Sequence, residues 1–379
     1  MKALARQGAF CTVLGRYHLA RELLQNSLGL ARQWEARAEI AFCLKFLGNG
    51  VWGQGNHVAA DHLYRESLEV SQAIDDHLAM AEALERLGWL TSILKGDYLT
   101  AQRYFQQSLD LMRGLENQAG TAVLLDKLGF NAFCAGEYSA SEQYYQESLA
   151  LFKEIGDRFG RAMAVGGLGL VAWGRGGARL SEAKQLFEES LTLCRETGHH
   201  FEVIYRLGTL GYITNSMGRY EEAPRYFQEA LDTARQLGYK AEVSWILAGL
   251  GEASLGLENY LAARNYLLEA LETTSGTAYA LPALISWAML LEKEADVPAA
   301  GVVAGPEVLA NHEPKQRAAA ILSLVINHPA TWQVYRDKAD RLLAELEAEL
   351  PPEVFAAARR RGQAKTVDAV VEEILAAAG

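Results

Sequence analysis

The chain has 379 residues, half of them apolar, and a formal net charge of -11. The length is generous for one compact core, whereas a stack of units buries each face only against its neighbours. The acidic balance argues against general nucleic-acid binding. No stretch of transmembrane length is free of charges, and the start Met1-Lys2-Ala3-Leu4-Ala5-Arg6-Gln7 lacks the apolar run of a signal peptide.

Prolines are few, and the first is Pro224, which favours long uninterrupted helices. Cys11, Cys43, Cys134 and Cys194 include no CxxC pair, so neither a zinc site nor a disulfide framework is suggested, and a reducing cytoplasm fits. The basic run Arg359-Arg360-Arg361 with Lys365 reads as the solvated last turn of a helix.

In chain order, the first element is part of a helix around Gly8. A Leu-Gly pair then recurs at Leu47-Gly48, Leu87-Gly88, Leu128-Gly129, Leu168-Gly169, Leu210-Gly211 and Leu250-Gly251, with glycines 40, 41, 40, 42 and 40 residues apart. Such a period marks a repeat array. After Gly8 and after each pair comes a turn: Gly15-Arg16-Tyr17, Gly55-Asn56-His57, Gly96-Asp97-Tyr98, Gly136-Glu137-Tyr138, Gly218-Arg219-Tyr220 and Glu258-Asn259-Tyr260, with Ala178-Arg179-Leu180 after a two-residue insertion.

A small residue follows at Ala20, Ala60, Ala101, Ser141, Ala183, Ala223 and Ala263. A large apolar one comes next at Leu24, Tyr64, Phe105, Tyr145, Phe187, Phe227 and Leu267, then Ser27, Ser67, Ser108, Ser148, Ser190, Ala230 and Ala270. Offsets of three and four place these on one helix face. Glycine inside a helix costs about 1 kcal/mol against alanine, so its recurrence implies a close crossing of a first helix (A) with a second (B). Asp157, after Gly156, caps the A helix that follows.

These markers resemble the tetratricopeptide repeat, in a form about six residues longer than the common 34. The phrase Tyr145-Gln146-Glu147-Ser148-Leu149-Ala150-Leu151-Phe152-Lys153-Glu154-Ile155-Gly156-Asp157 resembles the C-terminal sensor arrays of STAND proteins, the bacterial signal-transduction ATPases with numerous domains. The resemblance implies an all-α fold, a right-handed α-solenoid superhelix of antiparallel helix pairs.

Residues 1–276 form seven such repeats, the first truncated. Residues 277–312 form a degenerate eighth pair, in which Ala288 to Glu294 stay helical and Val297 to Gly305 lose the pattern. Residues 313–379 form a helical cap over the open end, since a terminal unit needs one. The cap carries His328-Pro329-Ala330-Thr331-Trp332 and Leu350-Pro351-Pro352-Glu353-Val354, similar to segments that close STAND arrays. The first unit starts part-way into helix A without a cap. This suggests that the chain was cut from a longer protein or that a domain lies upstream, where STAND architecture would put a nucleotide-binding ATPase.

Catalytic motifs do not survive this register. Gly48-Asn49-Gly50-Val51-Trp52-Gly53 is a literal GxGxxG, but it falls in an A helix, and the fingerprint needs a strand before it. Ser181-Glu182-Ala183-Lys184 matches SxxK, yet Ala183 is a packing position and the companion motifs are absent. His199-His200 point apart on a helix and cannot jointly hold a metal. The expectation is a binding protein, not an enzyme, with no cofactor and no metal.

In tetratricopeptide arrays the A helices line the concave groove, which the glycine register assigns to Lys45, Asn49, Trp52, Glu85, Trp89, Asp126, Phe130, Phe133, Trp173, Tyr205, Tyr212, Asn215 and Trp245. Trp and Tyr dominate recognition hot spots. Trp89, Phe130, Trp173 and Tyr212 are therefore expected to be accessible to a partner. The bland reading packs the same rings between successive A helices. Lys45 and Asn49 suit one unit of a carboxylate clamp, but Glu85 and Asp126 would repel a carboxylate. The leading expectation is a sensor binding a peptide, a protein segment or a small inducer for a cytoplasmic STAND-type regulator, with no nucleic-acid or membrane partner. The rival is a free-standing adaptor for complex assembly.

Overall fold

The computed structural model describes residues 1–273, 278–296 and 312–378. Among the described residues there are nineteen α-helices and no strand, as the repeat spacing requires. The chain divides into two compact units. The first is Met1–Ala132 with Gln143–Gly156, and the second is Phe133–Glu142 with Asp157–Gly379. The A and B helices alternate as α1 (Lys2–Val13) and α2 (Tyr17–Gln33), α3 (Arg37–Gly53) and α4 (His57–Gln72), α5 (His77–Lys95) and α6 (Tyr98–Gly114), then α7 (Gln118–Cys134) and α8 (Tyr138–Glu154). They continue as α9 (Arg158–Arg175) and α10 (Leu180–Thr197), α11 (His200–Ser216) and α12 (Ala223–Leu237), then α13 (Lys240–Gly256) and α14 (Tyr260–Thr273). The stretch Gly48–Gly53 ends α3, so no strand precedes it and the dinucleotide reading falls away.

The markers do what their chemistry demands. A Cβ on Gly48 would lie 2.5 Å from the Tyr64 ring, on Gly88 2.8 Å from Phe105, and on Gly169 2.6 Å from Phe187. Each repeat glycine is thus the notch that admits the large residue of its own B helix. The A-to-B turns place Gly15, Gly55, Gly96, Gly136 and Gly218 at positive φ; Glu258 takes the same conformation in the last pair, at φ 58°. Asp157 caps α9 by accepting the Gly160 amide at 2.9 Å, as its place in the sequence suggested. Asn56, Asp76 and Asp97 cap α4, α5 and α6 in the same way.

The serine that follows the aromatic has a role beyond being small. In the first unit Ser67, Ser108 and Ser148 donate to the A-helix carbonyls of Ala41, Ala81 and Ala122 at 2.9, 2.7 and 2.8 Å. In the second unit Ser190 donates to Ala162 at 2.6 Å. Where Ala270 replaces the serine, Ser244 on the facing helix donates to the Ala270 carbonyl at 2.8 Å. Each such buried bond stabilises its pair by about 1 kcal/mol.

The alanine position is equally tight: Ala101 and Ala223 are completely buried, whereas Ala150 on α8 is exposed. Leucine at Ala101 or Ala223 is expected to cost about 1–3 kcal/mol by overpacking. Ala150→Leu should leave the melting temperature nearly unchanged. Equal losses in all three, measured by thermal unfolding, would mean that the register is wrong.

Beyond the pairs, α15 (Leu281–Asp296) packs on α13 and α14 and against α16 (Glu313–Asn327). Ala288 to Glu294 lie in α15, while Val297 to Gly305 fall outside the described residues. Helix α17 (Gln333–Glu349) packs beside α16, α18 (Pro352–Gln363) lies on α16, and α19 (Val367–Ala378) touches α14.

Candidate functional site

In the first unit, the residues just after each repeat glycine and one turn before it come together on the A-helix face. Lys45 is buried along its stem. Its ammonium pairs with Glu82 of the next A helix and lies 4.7 Å from the Phe46 ring centroid. Asn49 is committed to the fold, for it accepts the Tyr64 hydroxyl at 2.8 Å. Burial pushes that phenol up to about 12, so it stays a donor at neutral pH. Trp52 is half-buried beside His57, with ring centroids 4.8 Å apart.

Trp89 on α5 and Phe130 on α7 are also half-buried, their ring centroids 5.5 Å apart. The Lys127 ammonium lies 4.2 Å from the Trp89 ring, a cation–π distance. Glu85 is half-buried one turn before Trp89, and Asp126 is buried one turn before Phe130. The result is a partly open aromatic step spanning two adjacent repeats, with charges of both signs at its edges.

The second unit differs. Here Trp173, Tyr212 and Trp245 on α9, α11 and α13 follow one another at 6.3 and 5.1 Å between ring centroids, and Tyr205 stacks on Trp245 at 5.5 Å. Several donors here are tied down: Tyr212 donates to the Trp245 carbonyl at 2.6 Å, the amide of nearby Asn215 to the Gly249 carbonyl at 3.0 Å, and Trp173 to the Ser216 hydroxyl at 3.2 Å. Trp173 is 5% exposed and Tyr212 4%, so the expected accessibility of these two rings does not hold.

The cause is the chain's own C-terminal segment. Tyr335 of α17 sits 6.1 Å from Trp173 and 6.2 Å from Tyr212, and its hydroxyl accepts the Trp245 indole N–H at 2.9 Å. Trp332 lies 6.3 Å from Phe133, which is fully buried, and Lys338 pairs with Glu252 at 2.5 Å. Helix α17 therefore covers the A-helix face of three successive pairs of the second unit. Burial pushes the phenols of Tyr205, Tyr212 and Tyr335 upward, so all three remain neutral.

Sequence reasoning missed Trp332, Tyr335 and Lys338. The available signal was an aromatic pair three residues apart at the start of an otherwise charged helix. Among the described residues, no three His, Cys, Asp or Glu side chains cluster to hold a metal ion, and no helix is long and apolar enough to cross a membrane. Ser181 and Lys184 lie in α10, where Lys184 pairs with Glu222; the His199 ring stacks on Phe159 at 3.7 Å.

Glycine notches, matching aromatics and a forty-residue period are the marks of one repeat type, and a family profile described as tetratricopeptide repeat matches residues 1–73, 51–114, 120–196 and 202–274. The chain belongs to the tetratricopeptide repeat family. A search of curated proteins finds no match to the sequence.

Several solved tetratricopeptide-like structures share the fold. The Rap conjugation gene regulator of the plasmid pLS20, in complex with a Phr peptide, is 15% identical with a TM-score of 0.57, covering 84% of this chain and 78% of its own. The apo quorum sensor NprR from B. thuringiensis is 11% identical with a TM-score of 0.55, covering 99% and 98%. A STAND protein with a tetratricopeptide repeat sensor from Pyrococcus horikoshii is 15% identical with a TM-score of 0.51. That match covers 94% of this chain, which spans about half of the STAND protein, 54% of its length. At these identities the likeness is one of fold.

Proposed function

We propose that this tetratricopeptide array is the sensing module of a STAND-type regulator, one that acts by binding a peptide or protein segment and performs no chemistry of its own. The observation that carries the reading is the half-open Trp89–Phe130 step on adjacent A helices, edged by Lys127 and Glu85. A rigid aromatic surface with charges beside it suits an extended or helical segment, which touches successive repeats in turn. The reading is supported by neighbours of the same fold that include a Rap regulator with a bound peptide, a quorum sensor and a STAND sensor. In the parent regulator, ligand binding would shift the balance between states of an attached nucleotide-binding domain, by as much as the ligand's affinities for the two states differ.

Peptides selected by display against the full chain provide the test. The dissociation constant of the best binder is measured by fluorescence anisotropy on the wild type and on Trp89→Ala. The substitution is expected to weaken binding by about 2 kcal/mol, roughly thirtyfold. Helicity should be retained, because the indole is only half-buried. An unchanged dissociation constant, or no enrichment of any peptide, would count against the reading.

A further inference from the structure

The second unit's A-helix face carries the same kind of aromatic surface as the first, but the chain's own segment Thr331–Lys338 is seated on it. We propose that this segment is a displaceable resident, and that the face beneath it takes peptide segments of the form aromatic-x-x-aromatic-x-x-Lys, the pattern of Trp332, Tyr335 and Lys338. The proposal rests on the A-helix face being a recognition surface, and extends it to the chemistry recognised.

Three observations carry it. The contact runs along one helix face at a spacing of three, with Trp332 against Phe133, Tyr335 among Trp173, Tyr212 and Trp245, and Lys338 on Glu252. This is how a helical ligand presents its anchors to a groove. The seat is also chemically particular: a buried indole N–H meets a phenol oxygen, and the buried Glu252 carboxylate meets an ammonium. A carboxylate in such a place needs a cation, so the face selects for one.

Finally, both flanks of the segment are held independently of the face. Leu343, Leu346 and Leu350 are buried within the cap and Thr331 donates to the Val325 carbonyl of α16, whereas the first turn of α17, which follows Trp332, has no side-chain cap. An uncapped first turn opens more readily than a helix interior. The first two turns therefore leave the face while the rest of α17 stays in place.

Two measurements on the full chain test this. In native-state hydrogen exchange, amides of residues 331–340 should exchange at least about tenfold faster than those of α9, α11 and α13 beneath them, through a local opening. In the second measurement, a fluorescent peptide of residues 328–349 is titrated into the wild-type chain and into the Tyr335→Ala/Lys338→Glu chain. The variant, whose own segment competes poorly, should bind at least about tenfold more tightly than the wild type. The same peptide carrying alanines at its two aromatic positions should bind neither.

Exchange of 331–340 at the rate of the helices below would show that the segment is permanent core and overturn the proposal, even if the variant chain fails to fold. Equal peptide binding to the wild-type chain and a folded variant would overturn it as well. Peptides that depend on Trp89 would still be found in either case, so the two readings fail separately.

Discussion

Truncating Trp245 to alanine is expected to cost the second unit about 3–5 kcal/mol, the range for removing a large aromatic from a packed interior. The indole is 7% exposed and stacks on Tyr205 and Tyr212. It also gives its only N–H to Tyr335, which touches Trp173 and Tyr212 in turn. The substitution removes one member of an aromatic cluster and the hydrogen bond it makes to α17 when that helix is seated on it. Urea unfolding followed by circular dichroism checks the loss, and hydrogen exchange should locate it in α11, α13 and α17. Trp89→Ala, in the half-open step of the first unit, should cost far less by the same measurement. If the two tryptophans gave equal losses, the distinction drawn between a covered and an open A-helix face would be wrong.

That distinction marks where the sequence stops being informative. The pairing of A and B helices was legible because a glycine inside a helix has a standing cost. Its recurrence every forty or so residues beside a matching aromatic offsets that cost only where two helices cross closely. Caps such as Asp157 were legible because the relevant chemistry lies within three residues. The serine bonds were half legible. Ser67 and Ser148 were recognisable as small, but their carbonyl partners Ala41 and Ala122 stand 26 residues away, at a place fixed only by the crossing of the helices.

Within each unit, neighbouring rings of the A-helix stripe do meet: Trp89 and Phe130 in the first, and Trp173, Tyr212 and Trp245 in the second. Whether they meet solvent was not encoded locally. Trp245 and Tyr335 are 90 residues apart, and nothing periodic links them. Helix α17 is rich in charge, and no repeat register links its leading aromatics to the three pairs they cover. Asn49 shows the same limit on a smaller scale: its register pointed to the groove, but Tyr64 claims its side-chain oxygen.

The packing device itself supports a stronger test, in which a size exchange separates a true notch-and-ring pair from two independently important residues. Phe105 is completely buried, and a Cβ at Gly88 would come within 2.8 Å of two of its ring carbons. Phe105→Ala is expected to cost about 3–5 kcal/mol through lost burial and the cavity left behind. Gly88→Leu should cost about 3 kcal/mol or more, because the ring has no space to yield between α5 and α6; the gain in helix propensity, about 1 kcal/mol, offsets only part of this.

In the double variant the leucine grows into the volume the ring vacated. The two effects should then fall short of their sum by about 1–3 kcal/mol, the coupling expected of residues in direct contact. Urea unfolding of the four chains measures that coupling. Strict additivity would mean that the aromatic is not what requires a glycine at Gly88, and the notch-and-ring pairing would have to be abandoned. A coupling of the expected size would make the Gly88–Phe105 contact a physical basis for the register of glycine and ring within a helix pair, since a shift of either residue by one position along its helix turns it some 100° away from the other.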